Sequence, residues 1–396
     1  MNIPEYVSFS LNRLEKNGYS AYLVGGCVRD HIMGNVPNDY DITTNARPEQ
    51  IEACFSDVKT LDIGKKHGTV TLVFDKGNVE VTTYRIDGEY KDSRHPESVT
   101  FTDRIEDDLA RRDFTMNAIA YSPAGGFVDP FGGRQDIEKG IVRCVGEPCK
   151  RFDEDALRIM RALRFSSRLG FKIEDNTRNA IFEKKELLHN IALERINAEL
   201  TGIFLGGYTD KVVCEFFCVF KVIVPSLNCF DSACLQRSSK LSGRVKECLF
   251  FYNLCDKSVL CDELKRLKYS NNAVKEITSV ISLATDYFGK SSDSDIKRAV
   301  SKIGESSTEN MYYLLYCMTG DKIYLDAVER FRVLVGDNEC MTLKQLDVRG
   351  NEIIEKYGIN PSLTAGILSG LLDDVIDGKI QNKKEQLLDN AKLYIQ

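Results

Sequence analysis

The sequence predicts an α+β protein, with a small mixed-sheet domain at its N-terminal end and all-helical domains after it. Three observations predict this class. Strand-like segments rich in β-branched residues, such as Thr69–Phe74 (TVTLVF), occur through about residue 130, with helical patterns between them. From about residue 175 onward the strand signals fade. The length of 396 residues is too great for one typical core and suggests two to four domains.

The stretch with the most residues suited to binding and catalysis lies at 21–42, AYLVGGCVRDHIMGNVPNDYDI. We interpret this stretch as a strand, a glycine turn, a short helix, a loop and a second strand that carries Asp39 and Asp41. Alternate residues of a strand point to the same face, so these two carboxylates lie together. Paired carboxylates are typical ligands of hard divalent cations.

The glycine turn of the same stretch suits phosphate. Gly25 and Gly26 allow a tight turn and close approach of the backbone to a ligand. The following helix begins with free N–H groups, and Arg29 adds a fixed positive charge. A phosphate site and metal-binding carboxylates in one short stretch predict a site for a nucleoside triphosphate and Mg²⁺.

The neighbouring elements complete the predicted sheet domain. A helix is expected at residues 4–17, and another is expected to begin at Pro48, which is well tolerated in a first turn. TVTLVF and the strand that follows it are separated by Asp-Lys-Gly-Asn, which predicts a hairpin. Glu80, in the second of these strands, is either a third metal carboxylate or a solvated edge residue. Residues 86–104 are polar and turn-rich, which predicts a long loop.

Arg112 and Asp113 stand beside an apolar helical pattern within DDLARRDFTMNAIAY. An Asp–Arg pair can hydrogen-bond a ribose 2′-OH, the group that distinguishes ribonucleotides from deoxyribonucleotides. The alternative is a structural ion pair at a helix start, and the residues alone favour that alternative. A turn cluster, VDPFGG, then closes the domain.

Residues 151–172, RFDEDALRIMRALRFSSRLGFK, show helical periodicity from Asp153. Asp155 and Arg158 are three residues apart and therefore neighbours on a helix, where such a pair is usually a solvated ion pair of little energy. The pair could instead select a base. Cytosine and adenine both show an amino donor beside a ring-nitrogen acceptor, which a carboxylate and a guanidinium would match. Guanine and uracil would leave both side chains unpaired, so one Asp and one Arg could reject them.

Other charged residues of the helical part allow two interpretations. Arg161, Arg164 and Arg168 form either a solvated helix face or a contact with triphosphate or primer phosphates. In the next strong helix, ALERINAELTGIFLG, we interpret the charges as structural and outward-facing; they are Glu194, Arg195 and Glu199. Lysines of the last segment face either phosphates or solvent; they are Lys379, Lys383, Lys384 and Lys392. A composition change at residues 301–310 indicates a linker or a helix end.

Several of these motifs, in this order, resemble the class II tRNA nucleotidyltransferase and bacterial poly(A) polymerase family. They are LVGGCVRD, NDYDITTNARPEQI, RRDFTMNA and the Glu-Asp-x-x-Arg of Glu154, Asp155 and Arg158. The resemblance covers nearly the whole chain. It implies a nucleotidyltransferase head at residues 1–145, a neck at 146–206, a body at 207–305 and a tRNA-binding tail at 306–396.

The resemblance also implies roles for the site residues. Asp39 and Asp41 would hold the catalytic Mg²⁺ ions, and the glycine turn with Arg29 would hold the triphosphate. RRDFTMNA is linked to ribose recognition, the Glu-Asp-x-x-Arg motif to base selection, and Arg161 and Arg164 to the nucleotide. The family needs a flexible loop for its last adenosine, and the apparently full-length segment 86–104 favours complete CCA addition.

Bulk composition is consistent with such an enzyme. A net charge of −6 is not typical of a nucleic-acid-binding protein, so tRNA would have to bind to a local basic surface. Thirteen scattered cysteines without a CxxC pair indicate buried thiols in a reducing cytoplasm, rather than a disulfide framework or a zinc site. No secretory signal is expected, and the longest apolar run, near residues 212–227, is too short and too interrupted to span a membrane.

The sequence therefore predicts a CCA-adding nucleotidyltransferase that uses CTP and ATP as substrates and tRNA as partner. A poly(A) polymerase of the same family has very similar motifs and remains an alternative. An enzyme that adds only CC or only A is a narrower alternative. A non-catalytic RNA-binding module is the alternative from another class, and the presence of Asp39, Asp41 and Arg29 argues against it.

Overall fold

The computed structural model describes residues 3–61, 64–65, 68–88, 98–254 and 256–395. They form two compact units: Met1–Tyr208 with Phe216–Pro225, and Thr209–Glu215 with Ser226–Gln396. All strands belong to the first unit, and the second is helical, so the α+β class is confirmed. Among the described residues, every helix is too short or too polar to cross a lipid bilayer.

The strands follow one another in the first half of the chain. They are β1 (Ala21–Val24), β2 (Tyr40–Thr44), β3 (Lys59–Leu61), β4 (Thr69–Phe74), β5 (Gly77–Thr83), β6 (Arg85–Asp87), β7 (Val99–Phe101), β8 (Ala120–Ser122), β9 (Gly126–Val128), β10 (Ile141–Val142) and β11 (Lys172–Ile173). Seven of them form one mixed sheet in the order β3-β4-β5-β2-β1-β8-β9. β4 and β5 form the predicted antiparallel hairpin, while β2 and β5 run parallel.

The helices, in chain order, are α1 (Glu5–Lys16), α2 (Gly26–Ile32), α3 (Pro48–Cys54), α4 (Ile105–Ala110), α5 (Gly133–Lys139), α6 (Pro148–Glu154), α7 (Leu157–Leu169), α8 (Asp175–Lys184), α9 (Leu193–Phe204), α10 (Thr209–Glu215), α11 (Phe217–Ile223), α12 (Ser232–Ser238), α13 (Gly243–Tyr252), α14 (Leu260–Arg266), α15 (Asn271–Asp286), α16 (Asp293–Ile303), α17 (Glu305–Thr319), α18 (Ile323–Gly336), α19 (Gly350–Tyr357), α20 (Thr364–Ile376) and α21 (Lys384–Ala391). The first unit holds α1 to α9 and α11. The predicted helices at residues 4–17 and from Pro48 are confirmed as α1 and α3.

Strand register explains how distant sequence motifs meet. Val24, the last residue of β1 before the glycine turn, is the antiparallel partner of Asp41 in β2. Asp41 is in turn the parallel partner of Glu80 in β5. Buried Leu23, Ile42 and Val81 fix this register, because a slip by one residue would turn them away from the core. The glycine turn and the carboxylates are therefore neighbours at one place on the sheet.

The prediction of a structureless loop over residues 86–104 was wrong at both ends. β6 and β7 pair antiparallel as a small ribbon, with Arg85 opposite Phe101. Residues 89–97 lie outside the described residues, and the expectation of a full-length loop falls mainly on them.

The second unit is built of α10 and α12 to α21. Gly304 alone separates α16 from α17, so the composition change at residues 301–310 marks a helix end. The C-terminal helices share an apolar core, which includes Leu346, Ile353, Leu371 and Leu387.

Two expectations about side chains need correction. The described cysteines are all free thiols, but Cys214, Cys218 and Cys229 are exposed rather than buried. Two of the four tail lysines are engaged within the protein: Lys379 pairs with Asp374 and Asp377, and Lys384 pairs with Glu352.

Candidate active site

The glycine turn between β1 and α2 needs glycine for two reasons. Gly25 has a φ of 79°, a conformation that L side chains rarely adopt. A Cβ on Gly25 would also lie 3.2 Å from Nη1 of Arg112. The turn therefore brings bare backbone against a guanidinium, and a side chain at this position would separate them.

Arg29 on α2 is held from three sides. Its guanidinium donates to Oδ1 of Asp30 at 2.7 and 2.9 Å and to Oδ1 of Asn117 at 2.8 Å. Its Cζ lies 5.3 Å from the centre of the Phe165 ring on α7. Because these contacts fix the side chain before any ligand arrives, Arg29 can bind an anion with little loss of conformational entropy.

Three carboxylates lie together beside this turn. The prediction that the second strand carries both aspartates is correct for Asp41 only, since β2 begins at Tyr40 and Asp39 directly precedes it. Glu80 is the register partner of Asp41 on β5. None of the three forms an ion pair with a cationic side chain of the described residues. Burial and the neighbouring charge of Glu80 raise the pKa of Asp41 to about 6, with Arg112 opposing this shift and Asp39 adding to it. The charge of Arg112 therefore offsets the cluster only in part, without a direct ion pair.

The donor set fits a hard divalent cation completed by substrate. No group of three His, Cys, Asp or Glu side chains converges as a ready-made metal site in the part of the chain that the structure describes. Mg²⁺, however, is commonly held by one or two carboxylates together with substrate phosphates and water. Asp39 and Asp41 offer oxygen ligands of this kind, and exposed Glu80 remains a predicted third ligand.

A cavity of about 470 Å³ joins these parts. Its lining includes Gly26, Arg29, Asp39 and Asp41 from the sheet side. From α7 it includes Arg164, Phe165 and Arg168. The structure therefore brings the glycine turn, the carboxylates and the arginine-rich helix to one space.

Arg112 and Asp113 follow the end of α4 and occupy different surroundings. Arg112 donates to Asp108 at 3.3 Å, and its Nε is buried without a partner in the described residues. Asp113 is 9% exposed, and its Oδ1 accepts from the Phe114 backbone N–H at 2.8 Å and from Asn117 at 3.2 Å. Its Oδ2 accepts from Arg161 at 2.8 Å. Arg112 thus has unused hydrogen-bonding capacity, whereas Asp113 is fully engaged.

Electrostatics locks Asp113 to Arg161. Burial alone would raise the pKa of Asp113, but the Arg161 guanidinium and its hydrogen bond outweigh burial and hold that pKa below its usual value. The attraction of Asp113 raises the pKa of Arg161 in return. The pair joins the segment after α4 to α7, and Asn117 links Asp113 to Arg29.

The prediction of one continuous helix from Asp153, with Asp155 and Arg158 as surface neighbours, was wrong. α6 ends at Glu154, and Asp155 is extended, with φ −144° and ψ 101°. Asp155 instead accepts from the backbone N–H of Leu157 at 3.0 Å and from Arg195 at 3.0 Å. The physical reason is that an aspartate side chain can accept a hydrogen bond from the backbone N–H two residues on, which favours a turn over a continuing helix, and α7 begins after this turn at Leu157.

Arg158 turns away from Asp155 and into the protein. It is 7% exposed and donates to Glu154 at 2.7 Å. It also donates to the backbone carbonyls of Arg151 and Arg111, each at 3.3 Å. Glu154, Asp155 and Arg158 are therefore close in the fold, but the carboxylate paired with Arg158 is Glu154.

Phe165 gathers three arginines on α7 and α2. The guanidinium carbons of Arg29, Arg161 and Arg164 lie 5.3, 5.6 and 4.5 Å from its ring centre. Arg164 also donates to Glu199 at 2.5 Å. The ring face attracts all three cations, and each also pairs with a carboxylate: Arg29 with Asp30, Arg161 with Asp113 and Arg164 with Glu199.

The prediction that the charges of α9 face outward was wrong for two of its three residues. Glu199 pairs with Arg164 of α7, and Arg195 pairs with Asp155 in the turn before α7. Glu194 is exposed, as expected.

Sequence reasoning missed three residues at this site: Asp108, Asn117 and Phe165. Each lies inside a motif that was recognised for other members. Asn117 stands within RRDFTMNA, and Phe165 stands within the arginine-rich run after Asp155. The local signal for Asp108 was its place three and four residues before Arg111 and Arg112, the spacing at which helical side chains meet.

A family model described as the Poly A polymerase head domain matches residues 21–143. A second, described as a probable RNA and SrmB- binding site of polymerase A, matches residues 170–228. The first match contains the glycine turn and the carboxylates.

Relatives extend the similarity to the full length. A protein of Ligilactobacillus salivarius named CCA-adding enzyme is 34% identical over 425 aligned positions, which cover 100% of this chain and 98% of that protein. A protein of the same name from Geobacillus thermodenitrificans is 50% identical over 203 residues, and in that match this chain spans about half of the relative, 50% of its length.

Among solved structures, the fold is similar to the Bacillus stearothermophilus CCA-adding enzyme in complex with CTP. The TM-score is 0.81, the identity 30%, and the match covers 99% of this chain and 98% of that one. A Thermotoga maritima CCA-adding enzyme complexed with tRNA shares the fold at a TM-score of 0.74 and 20% identity.

Proposed function

The chain belongs to the family of CCA-adding enzymes, and on that premise we propose that it adds C, C and A to the 3′ end of tRNA. CTP and ATP are the substrates, and no nucleic-acid template is used. In each step the tRNA 3′-oxygen forms a bond to the α-phosphorus, the α–β phosphoanhydride bond breaks, and pyrophosphate leaves with the 3′-OH proton released to solvent.

One observation carries the proposal. A single cavity is lined by Gly26, Arg29, Asp39 and Asp41 and by two arginines of α7, Arg164 and Arg168. Phosphoryl transfer depends mainly on positioning and on stabilising negative charge, and this cavity provides groups for both.

We propose that the triphosphate lies against the glycine turn. Gly25 and Gly26 leave the backbone open, and Arg29 is already fixed by Asp30 and Asn117. Arg161 and Arg164 add positive charge across the Phe165 ring. These guanidiniums orient the triphosphate and offset the charge that develops on pyrophosphate.

Asp39 and Asp41 would hold Mg²⁺, with Glu80 as a third ligand, and the lack of a direct ion-pair partner for any of the three among the described residues supports this assignment. When bound, such an ion lowers the pKa of the attacking hydroxyl and stabilises the leaving phosphates. Asp41 must be ionised to act as a ligand, so we expect metal affinity to fall as the pH drops through about 6.

We propose that base selection requires Arg158 and Asp155 to exchange partners. Arg158 now donates to Glu154, and Asp155 accepts from Arg195. A cytosine or adenine edge could replace these partners, because it offers both an acceptor for Arg158 and a donor for Asp155. Uracil and guanine would leave the two side chains unpaired. The Arg158–Glu154 and Asp155–Arg195 pairs would then be favoured over binding of these two bases.

Arg112 is the better placed of the two proposed ribose contacts. Its Nε has no hydrogen-bond partner among the described residues, but it is buried, so donation to a 2′-OH requires the side chain to shift. Asp113 already accepts several hydrogen bonds, so it would contact ribose only by releasing one of these donors.

The remaining assignments are coarser. We propose that residues 1–145 are the catalytic head and 146–206 the neck, with the body at 207–305 and the tRNA-binding tail at 306–396. Lys383 and Lys392, which have no ion-pair partner in the described part of the tail, are its better candidates for phosphate contacts. The free thiols of the described cysteines support a cytoplasmic location.

The test is to incubate the protein with tRNA that lacks its 3′ CCA, using each labelled nucleotide alone and then together. Incorporation of two C and one A, with arrest after three additions, is the expected result. A ladder of A would identify a poly(A) polymerase instead, and arrest after CC or addition of A alone would identify a partial enzyme. Tight tRNA binding without any incorporation would identify an RNA-binding module.

A further inference from the structure

Asp108 is a fully buried carboxylate that contacts β2, the strand that carries Asp41. It lies on α4, and its side chain is 0% exposed. Its Oδ1 accepts from Nε and Nη2 of Arg111 at 2.9 and 2.8 Å. Its Oδ2 accepts from Thr43 of β2 at 3.1 Å and from Arg112 at 3.3 Å. One carboxylate thus holds two successive arginines and the strand that carries Asp41.

The charge of Asp108 is maintained despite its burial. Burial by itself would raise its pKa, but Arg111, Arg112 and the hydrogen bonds from Arg111 and Thr43 outweigh burial and lower it. The carboxylate is therefore ionised at neutral pH and holds both guanidiniums by charge as well as by geometry.

Each of these arginines leads to a different part of the site. Nη1 of Arg112 is the group that faces Gly25, and the charge of Arg112 acts on Asp41. The backbone carbonyl of Arg111 accepts from Nη2 of Arg158 at 3.3 Å. Asp108 therefore contacts Arg112, the proposed ribose contact, and Arg111, whose backbone carbonyl supports Arg158 in proposed base selection.

We propose that Asp108 is a positioning residue that sets both sugar and base selection, by anchoring Arg112 and the carbonyl that supports Arg158. The inference rests on the proposed function. Asp108 does not itself line the cavity of the carboxylates, so it acts through its two arginines.

The discriminating readout is selectivity, since a general loss of stability lowers activity with all nucleotides alike. Asp108→Asn keeps the shape and the Thr43 contact but removes the charge that holds Arg112 and that, together with Asp87, holds Arg111. We expect the ratio of kcat/KM for CTP over dCTP, and the ratio for CTP over UTP, each to fall roughly tenfold or more. Both ratios are measured in single-nucleotide addition to tRNA, well below the unfolding temperature.

Asp107→Asn is the matched control. Asp107 is the adjacent residue of α4, and its side chain accepts only from Thr102, at 2.9 Å, among the hydrogen bonds of the described residues. Its two selectivity ratios are expected to equal those of the wild type. Thr43→Val provides a second variant, because it removes one neutral contact of Asp108 and leaves every charge in place. We expect a loss of about two- to fivefold in both ratios for Thr43→Val.

The outcomes separate the inference from the function on which it rests. If wild-type protein adds C, C and A but the folded Asp108→Asn variant keeps both ratios, the positioning role is overturned. If Asp108→Asn does not fold, unchanged ratios in Thr43→Val overturn it instead. If wild-type protein adds no nucleotide, the proposed function fails, and the inference fails with it. A parallel fall of both ratios, absent from Asp107→Asn, supports it.

Discussion

Replacing Asp41 with Asn is expected to stabilise the metal-free protein while abolishing its activity. In the folded chain, burial and Glu80 raise the pKa of Asp41 from an ordinary value of 3.8 to about 6. The unfolded chain therefore loses this proton at lower pH than the folded chain, and the folded state becomes less stable as the pH rises from about 4 to 6. At about 1.4 kcal/mol per pKa unit, the full effect above pH 6 is about 3 kcal/mol. Screening at a partly exposed carboxylate reduces the expectation to about 1–2 kcal/mol.

The assay is urea unfolding in EDTA, followed by circular dichroism because the chain contains no Trp. The variant should gain stability over wild type at pH 7.5 and lose that advantage below pH 4. Added Mg²⁺ should stabilise the wild type more than the variant. Asp57→Asn is the control of opposite sign, since hydrogen bonds from Arg13 lower the pKa of Asp57, and its removal should not stabilise. A variant that is less stable than wild type at pH 7.5 in EDTA would refute the reasoning.

Four further outcomes are expected. Asp39→Ala should lower nucleotide incorporation more than 100-fold while tRNA affinity, measured by filter binding, stays within about twofold; substantial turnover would remove the metal assignment. Arg158→Ala should reduce discrimination against UTP at least about tenfold in misincorporation assays, and intact discrimination would contradict its role. Asn117→Leu should raise KM for CTP about tenfold with a smaller change in kcat, since it removes a hydrogen bond from Arg29, the arginine proposed to bind the triphosphate; an unchanged KM would argue against that role. Gly133→Ala should cost more than about 3 kcal/mol, because its Cβ would lie 2.1 Å from a backbone carbonyl, whereas Gly132→Asn, in open space, should cost less than about 1 kcal/mol; equal unfolding midpoints would contradict this.

Local patterns predicted the parts of the fold that local physics determines. The β-branched runs of β4 and β5, the Pro at the start of α3 and the amphipathic α1 all form as expected. The α+β class followed from the loss of strand signals after the first half. The proximity of the glycine turn to Asp41 was also accessible, because both lie in adjacent strands of one short stretch.

Pairings between distant residues could not be predicted in the same way. Whether Asp155 pairs with Arg158 or with Arg195 depends on how α9 packs against α7, which no local pattern contains. Asn117 was overlooked because a single amide has no spacing rule, although it links Arg29 to Asp113. The helix break did have a local signal, since Asp before an apolar run is a common start of a helix.

The alternation of the chain between its two compact units has a practical consequence for dissecting the molecule. Residues 209–215 belong to the second unit and residues 216–225 to the first. The polypeptide therefore enters the second unit, returns to the first, and enters the second again at residue 226. Phe216, buried and stacked at 5.4 Å on Phe182, belongs to the returning segment. A fragment that stops at residue 208 would lose the packing of Phe216 on Phe182. A fragment that stops at residue 225 would contain α10 without the second unit to which this helix belongs. Truncation at a single position is therefore expected to yield an aggregating form of the first unit, and a well-folded fragment would require replacing α10 with a short polar linker.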